Sequence, residues 1–110
     1  MSSVTKLSEI DVTRLKQSAG ITLLDFYADW CGPCKALAPT LERFASENPN
    51  VTVGKINVDE NSNATQEFGI KGIPTLVFLR DGQEVGRLVG VASQNVIQDL
   101  LSGLQSRVNP

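Results

Sequence analysis

The 110-residue chain has no histidine, two cysteines, one tryptophan, one tyrosine and one methionine. A tetrahedral structural zinc site needs four Cys or His ligands, so a single copy of this chain cannot complete one, and no metal is expected. An excess of one charge is also missing. Ten basic residues against twelve acidic ones give a net charge of -2, which offers no footprint for nucleic acid or an anionic membrane and leaves proteins as the expected partners. Nowhere do 18 apolar residues run together, and the opening Met1-Ser2-Ser3-Val4-Thr5-Lys6-Leu7-Ser8-Glu9 lacks the apolar core of a secretory signal. A cytoplasmic location is therefore expected; a processed organelle protein would read the same way, although the initial Met argues mildly against one. Repeats and low-complexity segments are absent too. The length and the 41 % hydrophobic content allow one modest core, so one domain over residues 1–110 is expected, with a monomer as the default.

What is present is concentrated in Asp25-Phe26-Tyr27-Ala28-Asp29-Trp30-Cys31-Gly32-Pro33-Cys34-Lys35, where an apolar strand pattern runs into a Cys-x-x-Cys pair that opens a helix. Two thiols at this spacing can close into a small ring and reopen. One then attacks a foreign disulfide and the other resolves the mixed intermediate. A purely structural disulfide would be a poor use of the pair, because a four-residue loop removes little entropy from the unfolded chain. In a reducing compartment such a pair is catalytic more often than structural.

Ahead of that stretch, Ser8 and Asp11 form a capping pattern, with Leu7 placed to staple onto Val12, and the helix they start is expected to run to about Ser18 and stop at Gly20. Residues 21–28 are nearly continuous apolar sequence, as in a strand covered on both faces. Asp25 is the anomaly within it. By itself it reads equally as a solvated strand end or as a buried acid with a raised pKa. Beside a dithiol that must lose and gain protons, functional burial is the better reading. The helix from Cys31 carries Leu37, Leu41, Phe44 and Ala45 on one face and Pro39 inside it, so one long helix with a bend, ending before Pro49, is expected, with a break into two helices left open.

Residues 51–59 alternate and are β-branched, giving a strand that contains Lys55, a residue type that usually snorkels to the surface. A polar stretch leads to a short helix through Phe68, with Gly69 as its stop. Residues 75–80 and 83–89 read as a hairpin about Asp81-Gly82. Ser93 then caps a helix whose Val96, Ile97, Leu100, Leu101 and Leu104 form one apolar face, and the tail from Ser106 to Pro110 is expected to fray. The order βαβαβαββα implies α/β or α+β, with helices on both faces of one mixed sheet.

Trp30-Cys31-Gly32-Pro33-Cys34, preceded by Asp25 and followed by Lys55 and by Gly72-Ile73-Pro74-Thr75, resembles the thioredoxin family over nearly the whole chain. The resemblance implies an α/β thioredoxin fold: a five-stranded mixed central sheet flanked by four helices, two on each face, the hairpin strands antiparallel to the rest and the dithiol at the C-terminal end of a central strand. It also implies a cis Ile73-Pro74 bond, Lys55 close to a buried Asp25, and a redox disulfide between Cys31 and Cys34. No cofactor is implied. The activity implied is protein disulfide reduction, with disulfide-containing proteins as targets and a thioredoxin reductase restoring the dithiol.

Cys31, at a helix N-terminus where the dipole and unpaired N–H groups favour thiolate, is the expected nucleophile, and Cys34, one turn in and shielded, the resolving thiol. Lowering a thiol pKa by about 1.5 units from about 8.5 raises its thiolate at pH 7 roughly 16-fold, while a Brønsted slope near 0.5 returns about 6-fold. Positioning must then supply most of the acceleration. Asp25 is the candidate base, tuned by Lys55. Trp30, Ile73 and Pro74, joined by Gly72 and Gly90, are expected to form an apolar substrate rim, with the Ile73 backbone pairing to an extended segment. The Gly32-Pro33 dipeptide lacks the His that would favour the reduced protein, so it points to a reductant. Tyr27 stands where the family usually has Trp; altered packing with retained chemistry is expected. Rival readings are an oxidase or isomerase using the same pair, and a binding module with incidental thiols; replacing both cysteines by Ser separates the last from the redox readings.

Overall fold

In a computed structural model, which describes residues 3–106, the elements run β1 (Thr5–Lys6), α1 (Glu9–Leu15), β2 (Ile21–Tyr27), α2 (Gly32–Glu47), β3 (Thr52–Asn57), α3 (Ser62–Glu67), β4 (Thr75–Arg80), β5 (Gln83–Val89) and α4 (Gln94–Ser106). The strands form one sheet in the order β1-β3-β2-β4-β5. β1, β3 and β2 are parallel and β4 is antiparallel to β2. Only one hairpin strand runs against the parallel three: β5, antiparallel to β4, returns in their direction because a hairpin reverses the chain. The expected tail Arg107 to Pro110 lies outside the described residues, while Ser106 ends α4. Among the described residues no helix is long and apolar enough to cross a membrane.

Strand alternation divides the core in two. On one face Leu23, Val53, Leu76 and Phe78 meet Leu37, Leu41 and Phe44 of α2 and Ile97, Leu101 and Leu104 of α4. On the other, Leu24, Phe26, Ile56, Val77 and Leu79 meet Val12 and Leu15 of α1 and Phe68 just past α3. The expected pairing of two helices per face is thus present. Val96 is the exception in the apolar stripe of α4: it is 47 % exposed, because it lies about a quarter turn from the line of Ile97, Leu101 and Leu104.

Local chemistry sets the element ends. Ser8 and Asp11 make the expected capping box, and Leu7 and Val12 are buried in one cluster. α1 is shorter than expected, however. It ends at Leu15, and the chain to Ser18 tightens into i→i+3 bonds, Gln17 N–H to the Arg14 carbonyl and Ser18 N–H to that of Leu15. α2 is continuous through Pro39, which settles the open alternative against two helices; Leu37 and Leu41, on either side of the proline, are held in the same core. β3 stops at Asn57, two residues before its expected end, as the chain turns towards α3. Gly69 follows α3 in a Schellman arrangement, with Gly69 N–H on the Gln66 carbonyl and Ile70 N–H on that of Thr65. In the β4–β5 turn Asp81 (φ 51°) and Gly82 (φ 85°) both take left-handed conformations. Ser93 caps α4 by accepting from Val96 N–H at 3.2 Å.

Candidate active site

β2 carries its last residues to the carboxyl end of the parallel strands, and the chain then turns through Ala28-Asp29-Trp30 into α2. Cys31 is the N-cap of that helix, and Pro33 stands in its first turn, where a missing N–H costs nothing. The Cys31 sulfur accepts from Cys34 N–H at 3.2 Å, so one of the unpaired amides of the helix start points at sulfur. The two cysteines are joined as a disulfide, with their Cα atoms 5.2 Å apart.

In this oxidised state both sulfur residues are buried, Cys31 at 4 % and Cys34 at 5 % exposure, so shielding does not distinguish them. Their surroundings do. Cys31 Sγ lies 3.9 Å from the Ile73 carbonyl oxygen, at the rim. Cys34 lines a half-open cavity of about 200 Å³ together with Asp25, Tyr27, Lys35 and Lys55.

Asp25 is 4 % exposed, and its Oδ1 has no hydrogen-bond partner. Burial pushes its carboxyl up to about 7, and the positive charge of Lys55 pulls against that rise. Asp25 and Lys55 are direct neighbours across β2 and β3, which puts their side chains on the α2 face of the sheet. The Lys55 ammonium sits 5.5 Å from the centroid of the Tyr27 ring.

Around the disulfide, the Ile73-Pro74 bond is cis. Gly90 donates its N–H to the Pro74 carbonyl at 2.8 Å from a backbone with φ 95°, a conformation that an L side chain rarely adopts. Trp30 is 70 % exposed, Val89 69 % and Val91 57 %, with Ile73 half-buried among the disulfide's neighbours and Gly72 exposed beside Val89. Every expected site residue therefore lies at this end of the sheet. Two contributors had no signal of their own. Asp59 accepts from Trp30 Nε1 at 2.8 Å, and the buried Asn57 accepts from Asp59 N–H at 2.9 Å. Their place at the carboxyl end of β3 and just past it, beside β2, was the available clue, since sites in α/β sheets form outside the carboxyl ends of strands.

Comparison with known proteins gives the same picture. Residues 4–103 match the thioredoxin family. A thioredoxin of Chlamydia pneumoniae is 46 % identical over 85 residues, 77 % of this chain and 83 % of its own. One from Alicyclobacillus acidocaldarius subsp. acidocaldarius is 46 % identical over 81 residues, 73 % of this chain and 77 % of its own. Among solved structures, a mutant thioredoxin from Halobacterium salinarum superposes with a TM-score of 0.81 at 36 % identity, covering 94 % of this chain and 93 % of that one. The Malassezia sympodialis thioredoxin superposes at 0.84 and 31 % identity, over 94 % and 91 %. With its Cys-Gly-Pro-Cys pair closed at the head of α2, the chain belongs to the thioredoxin family and is a protein-disulfide oxidoreductase that exchanges thiols and disulfides through Cys31 and Cys34.

Proposed function

We propose that the exchange runs in the reducing direction, with Cys31 attacking, Cys34 resolving, Asp25 accepting the proton and Lys55 setting the charge beside it. One observation carries the assignment. The two sulfurs face different surroundings: Cys31 meets the Ile73 carbonyl at the rim, while Cys34 shares its cavity with the buried carboxyl.

The Cys31 thiolate, favoured by the Cys34 N–H and the helix dipole, attacks one sulfur of a target disulfide. A sulfur–sulfur bond forms to Cys31, and the other target sulfur leaves as thiolate and takes a proton from solvent. Cys34 then gives its proton to Asp25, directly or through solvent in the cavity. The Cys34 thiolate attacks Cys31 Sγ and expels the second target sulfur as thiolate, which is protonated in turn. Two electrons have moved to the target, and the pair is left as the Cys31–Cys34 disulfide. An acid with its pKa pushed up to about 7 is suited to this work, because it can both take and release a proton near neutrality.

Family membership implies a reductase and disulfide-bearing targets in general. A monomeric, one-domain protein working in the cytoplasm on other proteins, without nucleic acid or membrane, fits the near-neutral charge and the single sheet with a core on each face. Trp30, Ile73, Pro74, Gly72 and Gly90 are assigned to the docking of an extended target segment, with the Gly32-Pro33 dipeptide between the sulfurs exposed to it.

The deciding measurement is the reduction potential of the pair, by equilibration with defined thiol buffers and Trp30 fluorescence. A value near or below about -250 mV is expected of a reductant of cytosolic disulfides. One above about -200 mV would overturn the direction in favour of oxidation or isomerisation.

A further inference from the structure

Lys55 acts on Asp25 only while its ammonium stays near, and a lysine stem has four rotatable carbons that allow it to swing into water. The ion pairs among the described residues are Lys6–Glu60, Lys16–Glu67 and Arg87–Glu84, and none includes Lys55. What the ammonium does meet is the face of Tyr27. The register explains why. Tyr27 pairs with Asn57 and Asp25 with Lys55, so all four side chains lie on the α2 face, with the ring and the lysine diagonal neighbours.

Asn57, the register partner of Tyr27 on β3, is buried and accepts from Asp59 N–H, and the Asp59 carboxylate holds Trp30. Burial pushes the Tyr27 hydroxyl above its usual pKa. The ring therefore stays a neutral phenol near pH 7 and offers its quadrupole to the ammonium. Other charges surround this group: Lys6 on β1, Asp29 after β2 and Glu60 after β3 act on the hydroxyl, and Asp29 and Lys35 line the cavity.

We propose that Tyr27 is a positioning residue for the resolving step: its ring holds the Lys55 ammonium beside Asp25. The inference rests on the roles proposed above for Asp25 and Lys55 and adds the side chain through which the lysine is held.

The test is the titration midpoint of the Asp25 carboxyl, followed by carbon-13 NMR of the full chain in the wild type, Tyr27→Leu, Tyr27→Trp, Lys55→Gln and the Tyr27→Leu/Lys55→Gln double variant. Freeing the lysine removes a positive charge from the carboxyl, so Tyr27→Leu is expected to raise the midpoint by about half a unit. Tyr27→Trp restores an aromatic face and is expected to return it towards the wild type. With Lys55→Gln in place, Tyr27→Leu is expected to cause no further rise, because no ammonium remains to be released. An equal rise in both backgrounds overturns the proposal, since it would mean that Tyr27 acts only by packing. A midpoint moved by Lys55→Gln but not by Tyr27→Leu overturns it while leaving the role of Lys55 intact. If Lys55→Gln moves nothing, the tuning role falls and this inference with it. Tyr27→Val, which retains strand preference, replaces the leucine variant should that one fail to fold.

Discussion

Asp25 and Asp59 are both carboxylates at the same end of the sheet, and burial gives them opposite duties. Asp25 is enclosed and has an oxygen without a partner; Asp59 is exposed and binds an indole N–H. Asp25→Asn cannot take a proton from Cys34, so the mixed disulfide on Cys31 should persist about tenfold longer or more, as trapped-intermediate kinetics would register. An unchanged lifetime would remove Asp25 from the mechanism. Asp59→Ala should free the Trp30 ring, altering its fluorescence and raising KM for protein targets by about 5-fold, the equivalent of one exposed hydrogen bond. Small-molecule disulfides, which need no rim, should be reduced at the wild-type rate. Asp25 was legible in the sequence because a charge in an apolar run is conspicuous. Asp59 was not, because an acid at the polar end of a strand pattern is ordinary and only tertiary geometry carries Trp30 to it.

Among the elements, the long strands and the amphipathic faces of α2 and α4 could be read directly, since an apolar run or a helical period survives in one dimension. β1 could not be placed. It is two residues long, both exposed, and one is a lysine. The continuity of α2 across Pro39 was expected with a break left open, and a core that holds Leu37 and Leu41 together decides between the two. The β4–β5 turn exposes a different dependence. A Cβ on Gly82 would come 1.8 Å from the Lys16 carbonyl oxygen, so the hairpin tip abuts the end of α1. Asp81 reinforces the junction, accepting from Gly20 N–H at 2.8 Å and donating its own N–H to the Gly20 carbonyl at 2.9 Å. Gly82→Ala must meet the Lys16 carbonyl and also adopt a positive φ. It should cost about 2 kcal/mol or more in denaturant unfolding, and a loss of only a few tenths would contradict the close approach.

At the scale of the whole molecule, the buried carboxyl makes stability depend on pH. Below about pH 4 the native and unfolded chains both hold the Asp25 proton and the group contributes nothing. As pH rises the unfolded chain releases its proton while the native one keeps it up to about 7, so stability declines across that interval. The full loss is about 4 kcal/mol at most, reached above neutrality. Asp25→Asn should therefore leave unfolding unchanged near pH 3.5 and stabilise the protein by up to that amount at pH 8. A stabilisation independent of pH would mean that the carboxyl is not held protonated.

The brevity of β1 has a consequence for how the molecule opens. Its two residues pair with Gly54 and Lys55 only, followed by one bond from Leu7 N–H to the Lys55 carbonyl. Beyond them, among the described residues, β3 has no further strand partner on that side, whereas β2 is hydrogen-bonded along both edges. Amide exchange should therefore be graded across the sheet, with Leu7 trading its hydrogen for deuterium well before Leu24 or Phe26. Any such opening would uncover the outer edge of β3 at Lys55, next to the redox site, while the long strands stay paired.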